Sequence, residues 1–402
     1  MKRISILKNT VQEYAWGSYT AISELLGKKN LSNRPQAELW MGAHPKAPSM
    51  VKRNGEWKSL LKLIEKKPKN FLGIEAAKRF EDRLPYLFKV LAAAKPLSIQ
   101  AHPSIYQATE GFKRENSLGI PLNAPNRNYK DDNHKPECIC ALTVLWALNG
   151  FRKITDILSL MYKICPNGLE EELDALRKDQ NPQGLKSFFR ALMTMDQDRK
   201  VQITGAAVKN AEKYADKDQA FQWMINLHTE YPADIGIFSP LFLNLIRLKP
   251  GQAMFLPAGE LHAYLDGVGI ELMANSDNVL RGGLTPKHVD VPELMNVLNF
   301  NERHVNILLA EQVSDCERQY STPVEEFALS VIDVKAGMIC KGSIRRSIEI
   351  VLCTQGKAVI TEFGEDNIIH MDKGTSIVIP ASVEMYSIEG DATLYKASVP
   401  VQ

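Results

Sequence analysis

The chain has 402 residues, of which 45% are hydrophobic and 24% are charged, and its formal net charge is +2. This length predicts two or three globular domains, and the nearly neutral charge argues against nucleic-acid or membrane-surface binding. The basic start, MKRISILKNT, has too short an apolar stretch for a signal peptide, and no apolar run is long enough to span a bilayer. The six cysteines lack disulfide or zinc-finger spacing, so we expect reduced thiols and a cytoplasmic location.

The first part of the chain, to about residue 150, is predicted to be mainly strands with some helix. LPYLFKVLAAAKPLSIQAHP and ECICALTVLWALNG contain short apolar runs bounded by Gly, Pro and Asn, whereas SLLKLIEKK is predicted to be helical. Within SIQAHP, the side chains of Ser98, Gln100 and His102 project to one face, because residues two apart share a face of a strand. Buried polar side chains need partners, and a core hydrogen bond, a metal ion and a substrate are the alternatives.

Between about Phe151 and Tyr231 the pattern changes to a helical one. Apolar residues recur there at spacings of three and four, which is typical of amphipathic helices. They form three groups: Ile154, Ile157, Leu158 and Met161; Leu185, Phe188, Phe189 and Leu192; and Phe221, Met224, Ile225 and His228. The stretches CPNG and NPQG are predicted to separate the helices.

After Pro240 strand-like sequence resumes, and it includes an internal repeat, PGQAMFLPAGELHAY and KGTSIVIPASVEMYS. The repeat aligns Gly251 with Gly374, Pro257 with Pro380, and His262 with Met385. Each copy predicts a glycine turn, a short buried strand and a proline that ends it. The second copy, which follows VLCTQGKAVI, resembles the second half of a cupin, a small double-sheet jelly-roll barrel.

We therefore predict a mainly β fold with an α-helical insertion, made of two cupin jelly-roll barrels plus a helical domain. Residues 1–150 together with 236–315 are expected to form the catalytic, metal-binding barrel, residues 151–235 the helical insertion, and residues 316–402 the C-terminal barrel. The C-terminal barrel is expected to be metal-free, because Met385 replaces the histidine and RSIEIVLCTQG contains no His-x-His.

Four residues form a candidate metal site: Gln100, His102, Glu137 and His262. Two imidazoles, a carboxylate and an amide oxygen suit a divalent cation such as zinc, although Fe(II) and Mn(II) accept the same donors. Taken singly, each residue is equally explained as a hydrogen-bonded core residue. Taken together, they fall where a cupin barrel points side chains inward, which favours a metal site.

Two further segments, YKDDNHKPE (129–137) and HAYLDGVGIELMANSDNVLRGGLTPK (262–287), carry more charge than packing requires. The charges are interleaved with Gly, Asn, Ser and Pro, which is typical of a site on loops held by a rigid sheet. The charged residues singled out are Lys135, Glu271, Asp277, Arg281 and Lys287.

These motifs carry a resemblance to a known family. YKDDNHKPE fits the Y-x-D-x-N-H-K-P-E motif of type I mannose-6-phosphate isomerases (phosphomannose isomerases), members of the cupin superfamily, at every fixed position. The segment 262–287 is similar to the family's second motif, with one departure at Gly282, where the family usually has alanine. QEYAWGS, AELWMGAHPK and PLSIQAHP also resemble the family, so the resemblance extends from the N-terminus to at least residue 290.

The resemblance implies a catalytic cupin, a helical insertion, a C-terminal cupin and one zinc ion per chain. It implies an aldose–ketose isomerase that interconverts D-mannose 6-phosphate and D-fructose 6-phosphate through a metal-stabilised cis-enediol, linking mannose metabolism and GDP-mannose supply to glycolysis. The implied partner is a small phosphosugar, and the implied state is a monomer. The family's metal ligands match four positions of this chain: Gln100, His102, Glu137 and His262.

Such a reaction needs a base that reaches the moving proton and polar or cationic groups that hold the phosphate. The candidate catalytic residues are Arg281, Lys135, His134 and Glu271. The candidate substrate- and phosphate-binding residues are Ser98, Lys89, Lys287, Tyr264, Trp16 and Asp277, with Arg281 also a candidate for the phosphate. Core packing is the alternative for Tyr264 and Trp16, and a turn is the alternative for Asp277.

Lys135 is the favoured base, because it lies two residues from Glu137 and on a strand would share its face. Arg281 stays charged, so it suits phosphate binding or stabilisation of the enediolate better than proton abstraction. Glu271 is the rival base, because a carboxylate needs no lowering of its pKa to accept a proton.

Two other classes of function remain open from the sequence. A cupin oxygenase would hold Fe(II) with two histidines and a carboxylate, but the fourth protein ligand and the cationic residues argue against it. A non-catalytic sugar-binding cupin would bind sugar without exchanging the C2 proton, and the charged residues argue against it as well.

Overall fold

The computed structural model describes residues 3–53, 55–164, 168–364 and 367–401. The strands in these ranges are β1 (Ser5–Lys8), β2 (Thr10–Gln12), β3 (Glu38–Gly42), β4 (Met50–Arg53), β5 (Glu56–Ser59), β6 (Tyr86–Ala93), β7 (Ile99–Ala101), β8 (Glu137–Ala141), β9 (Leu145–Phe151), β10 (Leu243–Leu248), β11 (Ala253–Leu256), β12 (His262–Ala274), β13 (Leu280–Gly283), β14 (Glu311–Gln312), β15 (Glu317–Tyr320), β16 (Ala328–Val334), β17 (Ile339–Lys341), β18 (Glu349–Glu362), β19 (Asn367–Asp372), β20 (Ser376–Ile379) and β21 (Tyr386–Ser398).

The α-helices are α1 (Ala21–Leu25), α2 (Leu60–Lys66), α3 (Pro68–Leu72), α4 (Ile74–Arg79), α5 (Ile105–Ser117), α6 (Ile154–Ile164), α7 (Glu170–Lys178), α8 (Pro182–Thr194), α9 (Gln197–Ala211), α10 (Gln219–Glu230), α11 (Ser239–Phe242) and α12 (Val291–Val297). A short 3-10 helix spans Ile235–Phe238. None of the helices in the described ranges has the length and apolar character needed to cross a membrane.

The strands form two large sheets. The ten-stranded sheet runs in the order β10-β9-β12-β6-β3-β2, with β7, β8, β11 and β13 attached around β12. The eleven-stranded sheet runs in the order β14-β15-β16-β21-β18-β20-β1-β4-β5, with β17 on β21 and β19 on β18. In the described part of the chain, six α-helices, α6 to α11, and the 3-10 helix lie between β9 and β10. The predicted mainly β fold with a helical insertion is confirmed.

The central strands of the first barrel are buried on both faces, and the two faces have different surroundings. On β6 and β12, Val90 and Ile270 point into a core cluster that also contains Leu329 of the C-terminal barrel. Lys89 and Glu271, one residue away on the same strands, point to the opposite face and line a pocket. One face therefore joins the two barrels, and the other forms the inside of the first barrel.

The insertion has its own core. Apolar residues of α6 to α10 form one cluster, which also takes in Ile99 and Ala101 from β7. The three predicted helical groups correspond to α6, α8 and α10, whereas α7 and α9 were not predicted individually. NPQG begins α8, because Asn181 caps the helix and Pro182 occupies its first turn. Most of CPNG, residues 165–167, lies outside the described residues.

Strand β1 joins the N-terminal strands β4 and β5 to the sheet of the C-terminal barrel. It pairs with β20 through Ser5 and Ile6, and with β4 through Leu7 and Lys8. Consequently β1, β4 and β5, all from the first 60 residues, extend the eleven-stranded sheet. We keep the three-domain division as a proposal, although β1, β4 and β5 from the predicted first barrel join the sheet of the C-terminal barrel.

The internal repeat has the same local structure in both copies. Gly251 and Gly374 have φ angles of +82° and +87°, and β11 and β20, which follow them, have four residues each. The next strands, β12 and β21, have 13 residues each. His262 opens β12 and is buried, whereas Met385 precedes β21 and is 50% exposed. The predicted repeat is confirmed.

The expectation that all cysteines are reduced is wrong for one pair. Cys316 and Cys340 form a disulfide, with 6.0 Å between their Cα atoms and 24 residues between them in the chain. Strand β17 returns Cys340 to the start of β15, a contact that residue spacing alone cannot reveal. Cys138, Cys140 and Cys353 are buried free thiols, and Cys165 lies outside the described residues.

Candidate metal centre and active site

Strands of the first barrel bring the predicted metal ligands together. His262 is the first residue of β12, and Glu137 is the first residue of β8. Gln100 lies on β7 directly opposite His262, and His102 follows the end of that strand. Because β12 pairs with β7 through its first residue and with β8 through its second half, both strands face one interior.

Three of these side chains form a compact buried cluster. The Nε2 atom of His102 lies 3.1 Å from Oε1 of Glu137, and the Nε2 atom of His262 lies 3.6 Å from Oε2. The three ligand atoms all lie within 4.8 Å of one another. The exposed fractions of His102, Glu137 and His262 are 1%, 3% and 3%. A divalent cation between them would contact all three side chains at once.

Backbone carbonyl groups orient both imidazoles. Nδ1 of His102 lies 2.7 Å from the carbonyl oxygen of Asn278, and Nδ1 of His262 lies 3.1 Å from that of Glu260. A proton donated from Nδ1 leaves the Nε2 lone pair free for a cation, as in other metal-binding histidines. The Nε2 atom of His102 is buried and has no hydrogen-bond partner. A buried nitrogen without a hydrogen bond is expected of a metal ligand and not of a histidine that is hydrogen-bonded in the core.

The ionisation states also fit a metal site. Burial lowers the pKa of His102 to about 4 and also lowers the pKa of His262, so both imidazoles are neutral near pH 7. Burial alone would raise the pKa of Glu137, but the Lys135 ammonium holds it well below its usual range. Neutral imidazoles and an ionised carboxylate are the forms that bind zinc.

Gln100 supplies the fourth candidate donor. Its Nε2 atom donates to the Ser98 hydroxyl at 3.4 Å, which leaves the amide oxygen free to bind a cation. Two nitrogens, a carboxylate oxygen and an amide oxygen match a zinc site in number and kind. The residues present therefore fit the metal that the sequence resemblance implies.

A buried charged network lies beside the cluster in the same pocket. The Lys89 ammonium is 2.8 Å from Oε2 of Glu271 and 3.5 Å from Oε1 of Glu38. Burial alone would lower the pKa of Lys89, but these two carboxylates raise it above its usual value. Burial raises the pKa of Glu271, against the opposing effect of Lys89. Lys89 is therefore occupied by two carboxylates inside the barrel.

Lys135 reaches the metal ligands from the other side of the pocket. Its ammonium lies 3.0 Å from Oε1 of Glu137, although it precedes β8 and does not lie on that strand. Tyr264 donates its hydroxyl to Oε2 of the same carboxylate at 3.2 Å. Each oxygen of the Glu137 carboxylate thus has a further partner besides an imidazole: Lys135 at Oε1 and Tyr264 at Oε2.

Several candidates lie together in one pocket, and others do not. The predicted residues that line it are Lys89, Ser98, Gln100, Lys135, Glu137, His262, Tyr264 and Glu271. His102 is not among the lining residues, but its Nε2 atom contacts Glu137, which is. Trp16 packs beside the same apolar cluster as Tyr264 but is not among the lining residues. The roles of all these residues stay predictions.

Arg281 and Lys287 are not among the residues that line this pocket. Arg281 sits on β13 directly opposite Gln100, so it flanks the metal-ligand strand. Burial lowers the pKa of Arg281, and no carboxylate in the described ranges contributes to that shift. Burial and the neighbouring Arg281 charge lower the pKa of Lys287. The two residues form a cationic pair on the β7–β13 side of the site.

Asp277 and His134 have partners away from the pocket. Asp277 lies 2.8 Å from the Lys46 ammonium and 3.5 Å from Nε2 of His44, which ties the segment after β12 to the segment after β3. The Nε2 atom of His134 lies 2.5 Å from Oε1 of Glu326, a residue just before β16. The predicted alternatives for Asp277 were a turn and a substrate contact, and the structure adds an ion-pair role.

Glu38 and Asn278 are two site residues that the sequence reasoning missed. Glu38 lines the pocket and accepts a hydrogen bond from the Trp40 indole at 2.7 Å. Asn278 is fully buried, and its side chain joins Lys130 and Asn133 through backbone groups while its carbonyl holds His102. The available signal was their presence in the quoted segments AELWMGAHPK and 262–287.

Gly282, the departure from the family pattern, lies on the strand that carries Arg281. A Cβ atom added there would lie 2.9 Å from Cδ2 of Leu261 and 3.3 Å from Cγ2 of Ile99. The nearest atom is the end of a flexible side chain, so the missing methyl changes packing next to Arg281 and leaves the strand in place.

The fold and the site define a metal-binding cupin enzyme with a helical insertion. Three family models match in succession: the catalytic domain of type I phosphomannose isomerase over residues 4–154, its helical insertion domain over 167–243, and the mannose-6-phosphate isomerase cupin domain over 317–399. The mannose-6-phosphate isomerase of Escherichia coli K12 is 42% identical over 394 residues, covering 96% of this chain and 97% of that protein.

More distant relatives and solved structures agree. The human mannose-6-phosphate isomerase is 32% identical over 407 residues, covering 94% of each chain. A crystal structure of the Salmonella typhimurium mannose 6-phosphate isomerase, bound to fructose 6-phosphate and zinc, superposes with a TM-score of 0.91 at 39% identity, covering 99% of this chain and all of that one. The chain belongs to the type I phosphomannose isomerase family.

Proposed function

We propose that this chain interconverts D-mannose 6-phosphate and D-fructose 6-phosphate with one zinc ion. The observation that carries the proposal is the buried cluster of His102, Glu137 and His262, which opens into a pocket containing Lys135 and Glu271. The same reaction and metal belong to the similar structure from Salmonella typhimurium, whose substrate is fructose 6-phosphate. The four proposed ligands are Gln100, His102, Glu137 and His262.

The reaction moves a proton between C1 and C2 of the sugar, and the carbon acid is weak. Zinc, when bound, supplies a Lewis acid that stabilises negative charge on the sugar oxygens. Lys135 and Glu271 both line the pocket and are the proposed proton-transfer groups, with Lys135 favoured and Glu271 its rival. Tyr264 and Ser98 are proposed to contact the sugar from the pocket wall.

The phosphate is proposed to bind at the cationic pair of Arg281 and Lys287. Arg281 gives two parallel donors to a phosphate and, unlike Lys89, is not occupied by carboxylates in the described ranges. Lys89 was a candidate phosphate ligand, and we now assign it to holding Glu271 and Glu38. Trp16 and Asp277 are proposed to act at the rim, and His134 to support the loop that carries Lys135.

Exchange of the substrate C2 proton with solvent tests the function and the base together. The zinc-loaded wild type is expected to convert mannose 6-phosphate and to exchange the proton. Lys135→Ala is expected to lose exchange and to keep zinc. If Lys135→Ala exchanges at the wild-type rate while Glu271→Gln does not, the base is Glu271.

Arg281→Ala separates phosphate binding and charge stabilisation from metal binding. It is expected to retain zinc and fold. Loss of a phosphate contact should raise KM, whereas loss of enediolate stabilisation should lower kcat by about 10²–10³-fold. Binding of the sugar phosphate without any proton exchange by the wild type would support a non-catalytic cupin. Oxygen uptake by iron-loaded protein without isomerisation would support an oxygenase.

A cytoplasmic monomer with a small phosphosugar as its partner is the remaining part of the proposal. The proposed metal ligands and the residues that line the pocket all belong to one chain, which is compatible with an active monomer. Sedimentation of the zinc-loaded protein at the assay concentration tests the monomer. A species of twice the mass that carries all of the activity would contradict it.

A further inference from the structure

A short hydrogen bond links the C-terminal barrel to the loop that supplies the active site. Nε2 of His134 lies 2.5 Å from Oε1 of Glu326, although the residues are 192 positions apart in the chain. The side chains of His134 and Glu326 are 25% and 14% exposed. His134 is the residue directly before Lys135, so the contact lies next to the proposed base.

The residue before His134, Asn133, is held by hydrogen bonds from the segment that follows β12. The Asn278 side chain donates to the carbonyl of Asn133 at 2.8 Å, and the Ser276 hydroxyl donates to the same carbonyl at 3.2 Å. Those contacts fix the start of the loop, and Glu137 fixes its end as the first residue of β8. Between them, Glu326 is the partner of the His134 side chain.

Glu326 is itself firmly placed. The next residue, Phe327, is fully buried in the core cluster that joins the two barrels, and Val324 packs against the same cluster. Burial alone would raise the pKa of Glu326, but the hydrogen bond from His134 lowers it below its usual value. The carboxylate is therefore ionised and its backbone is anchored, as a support for another side chain requires.

We propose that Glu326 is a positioning residue that holds the His134 imidazole and, through it, the loop that delivers Lys135 and Glu137 to the pocket. The inference rests on the proposed isomerase function. It gives the C-terminal barrel a part in the reaction, although its own Met385 replaces the histidine ligand. Glu326 touches neither the proposed metal ligands nor the pocket, so its effect has to pass through His134.

The test compares Glu326→Ala with Glu326→Gln in the full-length, zinc-loaded protein. The alanine variant loses the acceptor for His134 and is expected to lower kcat roughly 10-fold and zinc affinity by a similar factor, with a smaller change in KM. The glutamine variant keeps an oxygen acceptor and is expected to stay within about twofold of wild type on both measures. Zinc affinity is measured by competition with a chelator and needs no turnover.

Glu325→Ala is the matched control. Glu325 is 66% exposed and lies 3.9 Å from Arg79, so its removal should leave kcat and zinc affinity unchanged. A double variant of Glu326→Ala with His134→Ala should be no worse than His134→Ala alone, because both remove the same contact.

Wild-type kcat and zinc affinity in Glu326→Ala would overturn the proposal, and so would additive losses in the double variant. If Glu326→Ala fails to fold, Glu326→Asp replaces it, because its shorter side chain withdraws the carboxylate from Nε2 of His134. Equal kcat values for the aspartate and glutamine variants would then overturn the proposal. Absence of isomerase activity in the wild type would refute the proposed function alone, since the zinc-affinity comparison still tests Glu326.

Discussion

Glu137 in the first barrel and Glu349 in the C-terminal barrel occupy corresponding positions. Glu137 opens β8 and pairs with Leu256, and Glu349 opens β18 and pairs with Ile379. Leu256 and Ile379 each come directly before the repeated prolines at 257 and 380. Both carboxylates are buried, with exposed fractions of 3% and 2%. A buried carboxylate at this strand start is thus common to both barrels.

The surroundings of the two carboxylates differ. Glu137 faces the imidazoles of His102 and His262 as well as the Lys135 ammonium at 3.0 Å. Glu349 lies 3.4 Å from the ammonium of Lys396 and 3.8 Å from Nε of Arg346. Lys396 is buried and also lies 2.8 Å from Glu317. Both carboxylates therefore have an ammonium group of the chain beside them, but Glu137 also faces imidazole nitrogens that can bind a cation from solution.

An ionised carboxylate in a protein interior requires a compensating charge. A lysine supplies that charge but offers no lone pair to a metal ion. Neutral histidines supply lone pairs, so a bound cation brings the charge and keeps its remaining positions for substrate. This difference explains how a repeated fold can be catalytic in one copy and structural in the other.

Metal removal is expected to have the largest effect of all the changes, and that effect should fall on the first barrel. Chelation is expected to abolish turnover and added zinc to restore it, because Glu137 and the two imidazoles lose the cation they share. Metal analysis should find one zinc per chain. His102→Ala is expected to lower zinc affinity by at least 10–100-fold, beyond the loss seen when only a supporting residue is removed.

Either of two results would break this comparison. Full activity in metal-free protein would remove the role of zinc. A second zinc bound within residues 316–402 would show that the C-terminal barrel also takes its cation from solution, despite Met385 and Lys396.

Removal of the internal cation from the C-terminal barrel should cost stability and not catalysis. Lys396→Met leaves the carboxylates of Glu349 and Glu317 without their shared ammonium. We expect the free energy of unfolding to fall by about 3 kcal/mol, the usual result of breaking a buried ion pair. Denaturant unfolding measures this loss, and zinc content and kcat should remain at wild-type values.

Lys357→Met is the matched control in the same barrel. Lys357 is 84% exposed and lies 3.4 Å from Asp372, so its removal should change the free energy of unfolding by less than about 1 kcal/mol. If Lys396→Met and Lys357→Met have equal stability, the buried ammonium does not neutralise Glu349, and the proposed contrast with Glu137 fails.

The sequence was sufficient, for physical reasons, to predict the repeat and the three candidate ligands that the structure brings together, His102, Glu137 and His262. The repeat depends on a local turn glycine and a strand-ending proline, and the ligands lie in long motifs with strand alternation. Glu326 and the Cys316–Cys340 disulfide could not be found in this way, because each joins segments that only the tertiary fold brings together. Glu38 looks like any strand residue until its pairing with β6 places it beside Lys89.

Loss of a supporting residue in the first barrel should weaken zinc binding without abolishing it. Asn278→Ala is expected to lower zinc affinity by about 10-fold, because the loop that offers its carbonyl to His102 loses the side-chain contacts to Lys130 and Asn133. Chelator competition measures the affinity. Asn275→Ala is the control, since its amide makes one long contact of 3.4 Å to Leu84 and none to this loop. Equal zinc affinities in the two variants would contradict the role of Asn278.

The smallest expected effect comes from the repeated turn glycines, which have the same conformation and different neighbours. Gly251→Ala should lower the free energy of unfolding by only about 1 kcal/mol, the cost of a positive φ, because nothing lies within 4 Å of the added Cβ atom. Gly374→Ala should cost more, since its Cβ atom would lie 2.4 Å from the carbonyl oxygen of Leu25 and 2.7 Å from Cα of Leu26. Urea unfolding of the two variants measures the difference. Equal losses of stability would mean that Leu25 and Leu26 move away from the added Cβ atom at no energetic cost. The two turns would then be equivalent in packing as well as in conformation.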